Sequence, residues 1–149
     1  MSKYPALSAA FAENSIRVGA VALDREHAIE MAGELLVASG RSTPAYTESM
    51  IDAVTENGPY IVIAPGIALA HGRPSEAVIE IGLSLVTLAE PMVFGNEAND
   101  PVRLVIGLCA IDHSSHIDIM AELATFLGDS SSVNSLLNAV HNDQIRLLF

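Results

Sequence analysis

Asn57-Gly58-Pro59-Tyr60-Ile61-Val62-Ile63-Ala64-Pro65-Gly66-Ile67-Ala68-Leu69-Ala70-His71-Gly72-Arg73-Pro74 carries two strand signals and one unusual loop. Asn57-Gly58-Pro59 stops whatever precedes it, because glycine and proline both interrupt regular structure. Tyr60 to Ala64 is a short apolar run rich in β-branched residues, Pro65-Gly66 is a turn, and Ile67 to Ala70 is a second apolar run. The spacing predicts two buried strands. The second strand delivers the chain into a polar loop that starts at His71, where Gly72 permits close backbone approach and Pro74 restrains the exit.

Outward from this segment the periodicity changes. Upstream, Asp24 is positioned to cap a helix over Arg25 to Ser39, with Ala28, Met31, Ala32, Leu35 and Leu36 at helical spacing and Gly40 as a stop. A second helix starts near Pro44 and carries Tyr46, Met50, Ile51 and Val54 on one side. Downstream, Ala77 to Leu88 and Val102 to Ile111 read as strands joined by a loop over Glu90 to Pro101. Helical spacing returns at Ile117, Met120, Ala121, Leu123, Ala124 and Leu127, ended by Gly128, and shorter helices are expected at Val133 to Val140 and Gln144 to Leu148. Ser130-Ser131-Ser132 is a candidate helix cap. Helices on either side of apolar strands imply an α/β sheet with covered faces.

The chain has 149 residues, the length of one domain, so residues 1–149 are expected to form a single unit. Half of its residues are hydrophobic and its mean hydropathy is +0.40, yet no apolar run approaches the roughly 20 residues of a membrane span. Its N-terminus is not followed by a secretory apolar segment, which predicts a cytoplasmic location. Net charge is −11, from 18 acidic and 7 scattered basic residues, so nucleic acid and anionic membranes are unsuitable partners. Cys109, the sole cysteine, lies in an apolar run and reads as a small packed hydrophobe.

Chemistry concentrates on histidines. His27 and His141 fall on exposed helical or helix-end positions and need no functional account. His71 has Arg73 two residues on, the one basic residue between Ser42 and Val102, among eight acidic ones. A neutral imidazole is a competent nucleophile near pH 7, and a guanidinium fork suits phosphoryl oxygens. Such a cation would offset the charge arriving in phosphoryl transfer. On the residues alone, a hydrogen-bonded loop histidine beside a solvated arginine is the slightly favoured reading. A second cluster, Asp112-His113-Ser114-Ser115-His116, follows a strand and leads into a helix, where open α/β sheets bind ligands and helix N-termini favour anions. Asp112, Ser114 and Ser115 also suit a plain helix cap. Zinc held by His113, His116, Asp112 and His71 has only weak H-x-x-H spacing in its favour. Nucleotide-binding glycine fingerprints and the GxSxG elbow of serine hydrolases are absent.

The quoted segment closely resembles the active-site region of enzyme IIA components of the bacterial sugar phosphotransferase system, in the mannitol/fructose-type superfamily. The ascorbate-specific branch fits best. The likeness continues through Gly82 to Pro91, Phe94-Gly95, Asn99-Asp100-Pro101-Val102 and the His116 helix, covering roughly residues 10–130. It implies a mixed β-sheet flanked by helices on both faces. It also implies that His71 is the phosphoacceptor, that His116 is the second active-site histidine with His113 as the lesser candidate, and that Arg73 and Gly72 stabilise the phosphoryl group.

The implied activity is a phosphotransferase step in sugar uptake, for an ascorbate- or pentitol-like sugar. The implied partners are the histidine phosphocarrier protein as donor, a cysteine of an enzyme IIB component as acceptor and, indirectly, a membrane enzyme IIC permease. No cofactor or metal is implied, and a homodimer is compatible. Two departures stand out: Ala70 replaces the usual proline before the nucleophile, and Tyr46 to Glu56 lacks the arginine of mannitol-type members. Arg73 is suited to take over that arginine's electrostatic part. Two other readings remain open from the sequence, namely a regulatory domain of the same fold that binds target proteins by phosphorylation state, and an α/β binding protein that is never phosphorylated.

Overall fold

Side chains alternate across a strand, so a strand with apolar residues at every position must be covered on both faces. The computed structural model, which describes residues 3–112 and 114–149, meets that requirement with a five-stranded mixed sheet between two layers of helices. The chain runs α1 (Pro5–Ala10), β1 (Phe11–Ala20), α2 (Arg25–Ala38), α3 (Pro44–Asn57), β2 (Val62–Ala64) and β3 (Ile67–His71). It continues with β4 (Gly82–Met92), β5 (Val102–Cys109), α4 (Ile117–Leu127), α5 (Ser130–Leu137) and α6 (Asn142–Arg146). The spatial order is β1-β4-β5-β3-β2. The β1·β4 and β3·β5 pairs are parallel, and the β4·β5 and β2·β3 pairs are antiparallel.

Residue parity divides the core in two. Ala68, Ala70, Val86, Leu88, Val105 and Cys109 pack with α2 and α3 residues such as Ile29, Leu36, Tyr46, Met50 and Val54. Ile67, Leu69, Leu83, Leu85, Leu104, Ile106 and Leu108 pack on the other face with Leu7, Ile119, Leu123, Phe126, Leu136 and Ile145. The expected helices over 25–39 and 44–57 are present, and Asp24 caps the first by accepting from the His27 amide at 2.8 Å. Gly58 ends α3 at φ +81° and Gly66 turns the β2–β3 hairpin at φ +76°, conformations that side-chain-bearing residues rarely adopt. Among the described residues no helix is long and apolar enough to cross a membrane.

Several boundaries differ from the sequence expectation. Helix α1 and strand β1 are additional elements. The register of β1 against β4 shifts twice, between Phe11 and Ile16 and between Arg17 and Ala20, which breaks the two-residue period that would mark it as a strand. The strand expected from Ala77 begins only at Gly82, because the Ile79 and Glu80 amides donate to the Arg41 carbonyl and Val78 bridges Ser42. It continues to Met92, opposite Val102, which shortens the expected 90–101 loop. Strand β5 ends at Cys109, short of Ile111, and α5 and α6 each begin before the expected positions. Asp129, with its carboxylate accepting from the Ser131 amide, caps α5 in place of the serine run.

Helices α2 and α3 cross closely at Gly33, where an added Cβ would fall 2.4 Å from Thr47 Cγ2. Gly33→Val should lower unfolding free energy by about 1–3 kcal/mol in denaturant titration through overpacking. Adding Thr47→Ala should recover part of the loss, since the two positions share one contact.

Candidate active site

Parallel pairing of β3 and β5, with His71 opposite Leu108, brings both C-terminal strand ends to one edge of the sheet. In open α/β sheets that edge is where ligands bind. By parity His71 follows Ile67 and Leu69, whose side chains face α4, whereas Gly72 follows Ala68 and Ala70 toward α3. A Cβ on Gly72 would lie 2.6 Å from Ser49 Oγ of α3, so glycine is what allows the helix to approach the loop.

A cleft of about 360 Å³ opens at this edge, and His71, Gly72, Arg73 and His116 all line it. The His71 Nδ1 lies 2.8 Å from the Leu69 carbonyl oxygen. A carbonyl only accepts, so this bond fixes the proton on Nδ1 and leaves the lone pair on Nε2. Tyr60 stands edge-on to the imidazole, with ring centroids 5.8 Å apart and planes at 88°. Arg73 is exposed and takes part in neither of the two ion pairs found among the described residues.

His116 occupies the N-cap position of α4, and its buried Nδ1 has no hydrogen-bond partner among the described residues. Asp112, expected as a cap, instead organises the loop ahead of the helix: its Oδ1 accepts from the Ser114 and Ser115 amides at 2.9 and 2.6 Å. Those bonds hold its carboxyl below the usual range. His113 lies outside the described residues. No three His, Cys, Asp or Glu side chains among the described residues are grouped to hold a metal ion.

The remaining candidates are structural. His27 Nδ1 accepts from the Leu23 amide at 3.0 Å, and His141 caps the start of α6, its amide donating to the Gln144 side-chain oxygen at 3.1 Å. Neither lines the cleft. The Cys109 thiol is buried against the Glu80 carbonyl at 3.4 Å, and burial pushes its pKa up to about 11, away from nucleophilic thiolate.

Tyr46 is the site residue that the helical stripe concealed. Only 1% exposed, its hydroxyl accepts from the Gly72 amide at 2.9 Å and donates to the Leu108 carbonyl at 2.6 Å. Burial pushes its pKa up to about 12, so the phenol stays protonated. The available signal was chemical: a tyrosine in an apolar stripe must find a partner for its hydroxyl.

Residues 9–149 match the profile of the family described as phosphoenolpyruvate-dependent sugar phosphotransferase system, EIIA 2. The ascorbate-specific PTS system EIIA component of Salmonella typhimurium is 40% identical over 124 residues, 83% of this chain and 80% of that protein. The solution structure of the mannitol-specific cryptic phosphotransferase enzyme IIA CmtB from Escherichia coli superposes with a TM-score of 0.85 at 32% identity, covering 95% of this chain and 96% of that one. The Escherichia coli mannitol enzyme IIA in complex with phosphorylated enzyme IIB superposes at 0.79 with 30% identity, covering 93% and 95% of the two chains. With nearly its full length matched in sequence and its mixed sheet matched in space, the chain belongs to the EIIA 2 family of the sugar phosphotransferase system and is a phosphotransferase.

Proposed function

We propose that the chain carries a phosphoryl group on His71 Nε2, taken from the histidine phosphocarrier protein and passed to a cysteine of an enzyme IIB component during uptake of an ascorbate-like sugar. The observation that carries this reading is the His71 Nδ1 bond to Leu69, which prepares one ring nitrogen as the nucleophile. In the first step Nε2 attacks phosphorus and the donor's P–N bond breaks, returning an electron pair to the donor imidazole. The His71 ring gains positive character as the new bond forms, and Nδ1–H donating to a carbonyl stabilises it. In the second step the IIB thiolate attacks phosphorus, the P–Nε2 bond breaks, and His71 regains its lone pair. The phosphorylated IIB in complex with the mannitol relative supports the choice of acceptor, and the ascorbate-specific relative supports the sugar class. The relay reading puts the chain in the cytoplasm, serving a membrane enzyme IIC.

In this reading His116 and Arg73, which line the same cleft as His71, stabilise the transferring group. A buried ring nitrogen that no described residue partners is suited to meet a bound oxygen, which supports a role for His116. Gly72 contributes by the space it leaves, since its amide is already engaged by Tyr46.

Incubation with phosphoenolpyruvate, the first phosphotransferase enzyme and the histidine phosphocarrier protein should add one acid-labile, base-stable phosphate, detectable by intact-mass measurement. His71→Ala should abolish it, and label persisting on that variant would remove His71 from the role. His116→Ala should fold and accept phosphate yet deliver it to IIB about tenfold or more slowly, as expected for loss of one hydrogen bond to a charged group. An unchanged delivery rate would instead direct attention to His113. Arg73→Ala should slow both gain and loss in rapid-quench measurements at moderate salt, with Arg73→Lys restoring part of the rate, because an ammonium lacks the fixed fork. Equal rates for wild type and Arg73→Ala would leave Arg73 as a surface charge.

A further inference from the structure

We propose that Tyr46 is a positioning residue for phosphoryl transfer, its hydroxyl locking the peptide that follows His71 to the end of strand β5. The inference rests on His71 being the phosphoacceptor and adds a residue from the opposite face of the sheet. His71 and Leu108 are the last register pair of β3 with β5. Immediately beyond that pair the Tyr46 hydroxyl bonds both the Gly72 amide and the Leu108 carbonyl, so the two strands remain tied where their ladder ends.

The polarity of this tie is fixed. Leu108 offers only an acceptor and Gly72 N only a donor, so the single phenolic proton points to Leu108 and a lone pair points to Gly72. The contact to the Gly72 carbonyl at 3.4 Å is long, and the proton is already committed to the shorter bond. Burial keeps the phenol protonated, which maintains that direction across the working pH range.

The Gly72 amide belongs to the same rigid peptide plane as the His71 carbonyl, so holding it fixes the ψ angle of His71. With the β3·β5 ladder holding the backbone before His71 and this tie holding the peptide after it, the His71 Cα is anchored from both sides where its imidazole meets the Leu69 carbonyl, and the same peptide directs Arg73 toward the cleft that Tyr46 also lines. Ser49, one helical turn along α3, blocks any movement of the loop toward the helix, since even a Cβ on Gly72 would meet its hydroxyl at 2.6 Å. The loop is therefore pinned from the α3 side by one hydrogen-bonded contact and one steric contact.

Tyr46→Phe removes the tie while keeping the ring in the core. The variant should show a cooperative thermal transition and still reach one phosphoryl group per chain at long times. Its rates of gain from the phosphorylated carrier and loss to IIB should fall about 10- to 100-fold, the penalty of a misplaced reacting group. Nitrogen-15 NMR of the imidazoles, independent of any partner protein, should show His71 protonated on Nδ1 in the wild type and moving toward mixed tautomers in Tyr46→Phe. Wild-type rates together with unchanged His71 ring signals in folded Tyr46→Phe would overturn the proposal. If that variant does not fold, Gly72→Ala displaces the same peptide from the loop side, and wild-type rates and ring signals there would overturn it equally. Failure of the wild type to accept phosphate would refute the carrier reading, while the ring signals would still test the coupling between Tyr46 and His71.

Discussion

The parallel pairing of β3 with β5 is the constraint on which the site depends. The two strands belong to different hairpins, β2–β3 and β4–β5, and their parallel contact sends both C-terminal ends the same way. Were the pair antiparallel, the His71 loop and the start of α4 would lie at opposite edges of the sheet, and His116 could not share a cleft with His71. The register has a further consequence. A slip of one residue in β3 would turn His71 toward α3 and Gly72 toward α4, placing a backbone without a side chain where the imidazole is needed. Apolar residues on both faces make such a slip costly, because Leu69 and Ala70 occupy spaces of different depth.

That framework accounts for a site with few charges. The chain carries a net −11, and phosphorylation would add further negative charge to an acidic protein. Long-range electrostatics therefore disfavour the phosphorylated form, and what offsets them has to be local. The available groups are an exposed guanidinium, an imidazole at the head of a helix whose dipole favours anions, and a carbonyl matched to the ring proton. An exposed cation binds an oxyanion more weakly than a buried one, being screened by water and salt. For a carrier that is an advantage, since a phosphoryl group held in a deep cationic cage would have to be pulled out of it at the second transfer.

Much of this was legible in the sequence, and the exceptions have identifiable causes. The α2 and α3 helices, the β2–β3 hairpin, the His71 loop and the α4 helix announce themselves through period, caps and turn residues that act locally. Strand β1 does not, because bulged registers leave Phe11, Ile16 and Ala20 buried at uneven spacing. Residues 77–81 look like strand from their apolar content, but their hydrogen bonds go to Arg41, some 40 positions earlier, which no window of local sequence reveals. His116 stands out from His113 only through the family resemblance, because nothing in the cluster from Asp112 to His116 distinguishes its two histidines by spacing alone. Tyr46 was visible only as a member of an apolar stripe. Its significance comes from a hydroxyl that crosses from helix to sheet edge, a tertiary relation between residues 26 and 62 positions apart in the chain.

The two departures from the family pattern bear on the same corner of the structure. Ala70, the first departure noted in the sequence, is buried and held in register opposite Gly107. Strand pairing thus orders the backbone before His71, and the remaining freedom lies after it, at Gly72, whose small size is imposed by the closeness of α3. A glycine at that point would leave the chain after His71 conformationally free unless something held the peptide. The same α3 helix, which lacks the arginine of mannitol-type members, supplies that hold through Tyr46. Its contribution is neutral and buried, whereas the charge sits on the exposed Arg73 in the loop. In the proposed relay, positioning and electrostatic stabilisation are in this way assigned to different side chains, so that the cation would follow the phosphoryl group between partners while the nucleophile stays fixed.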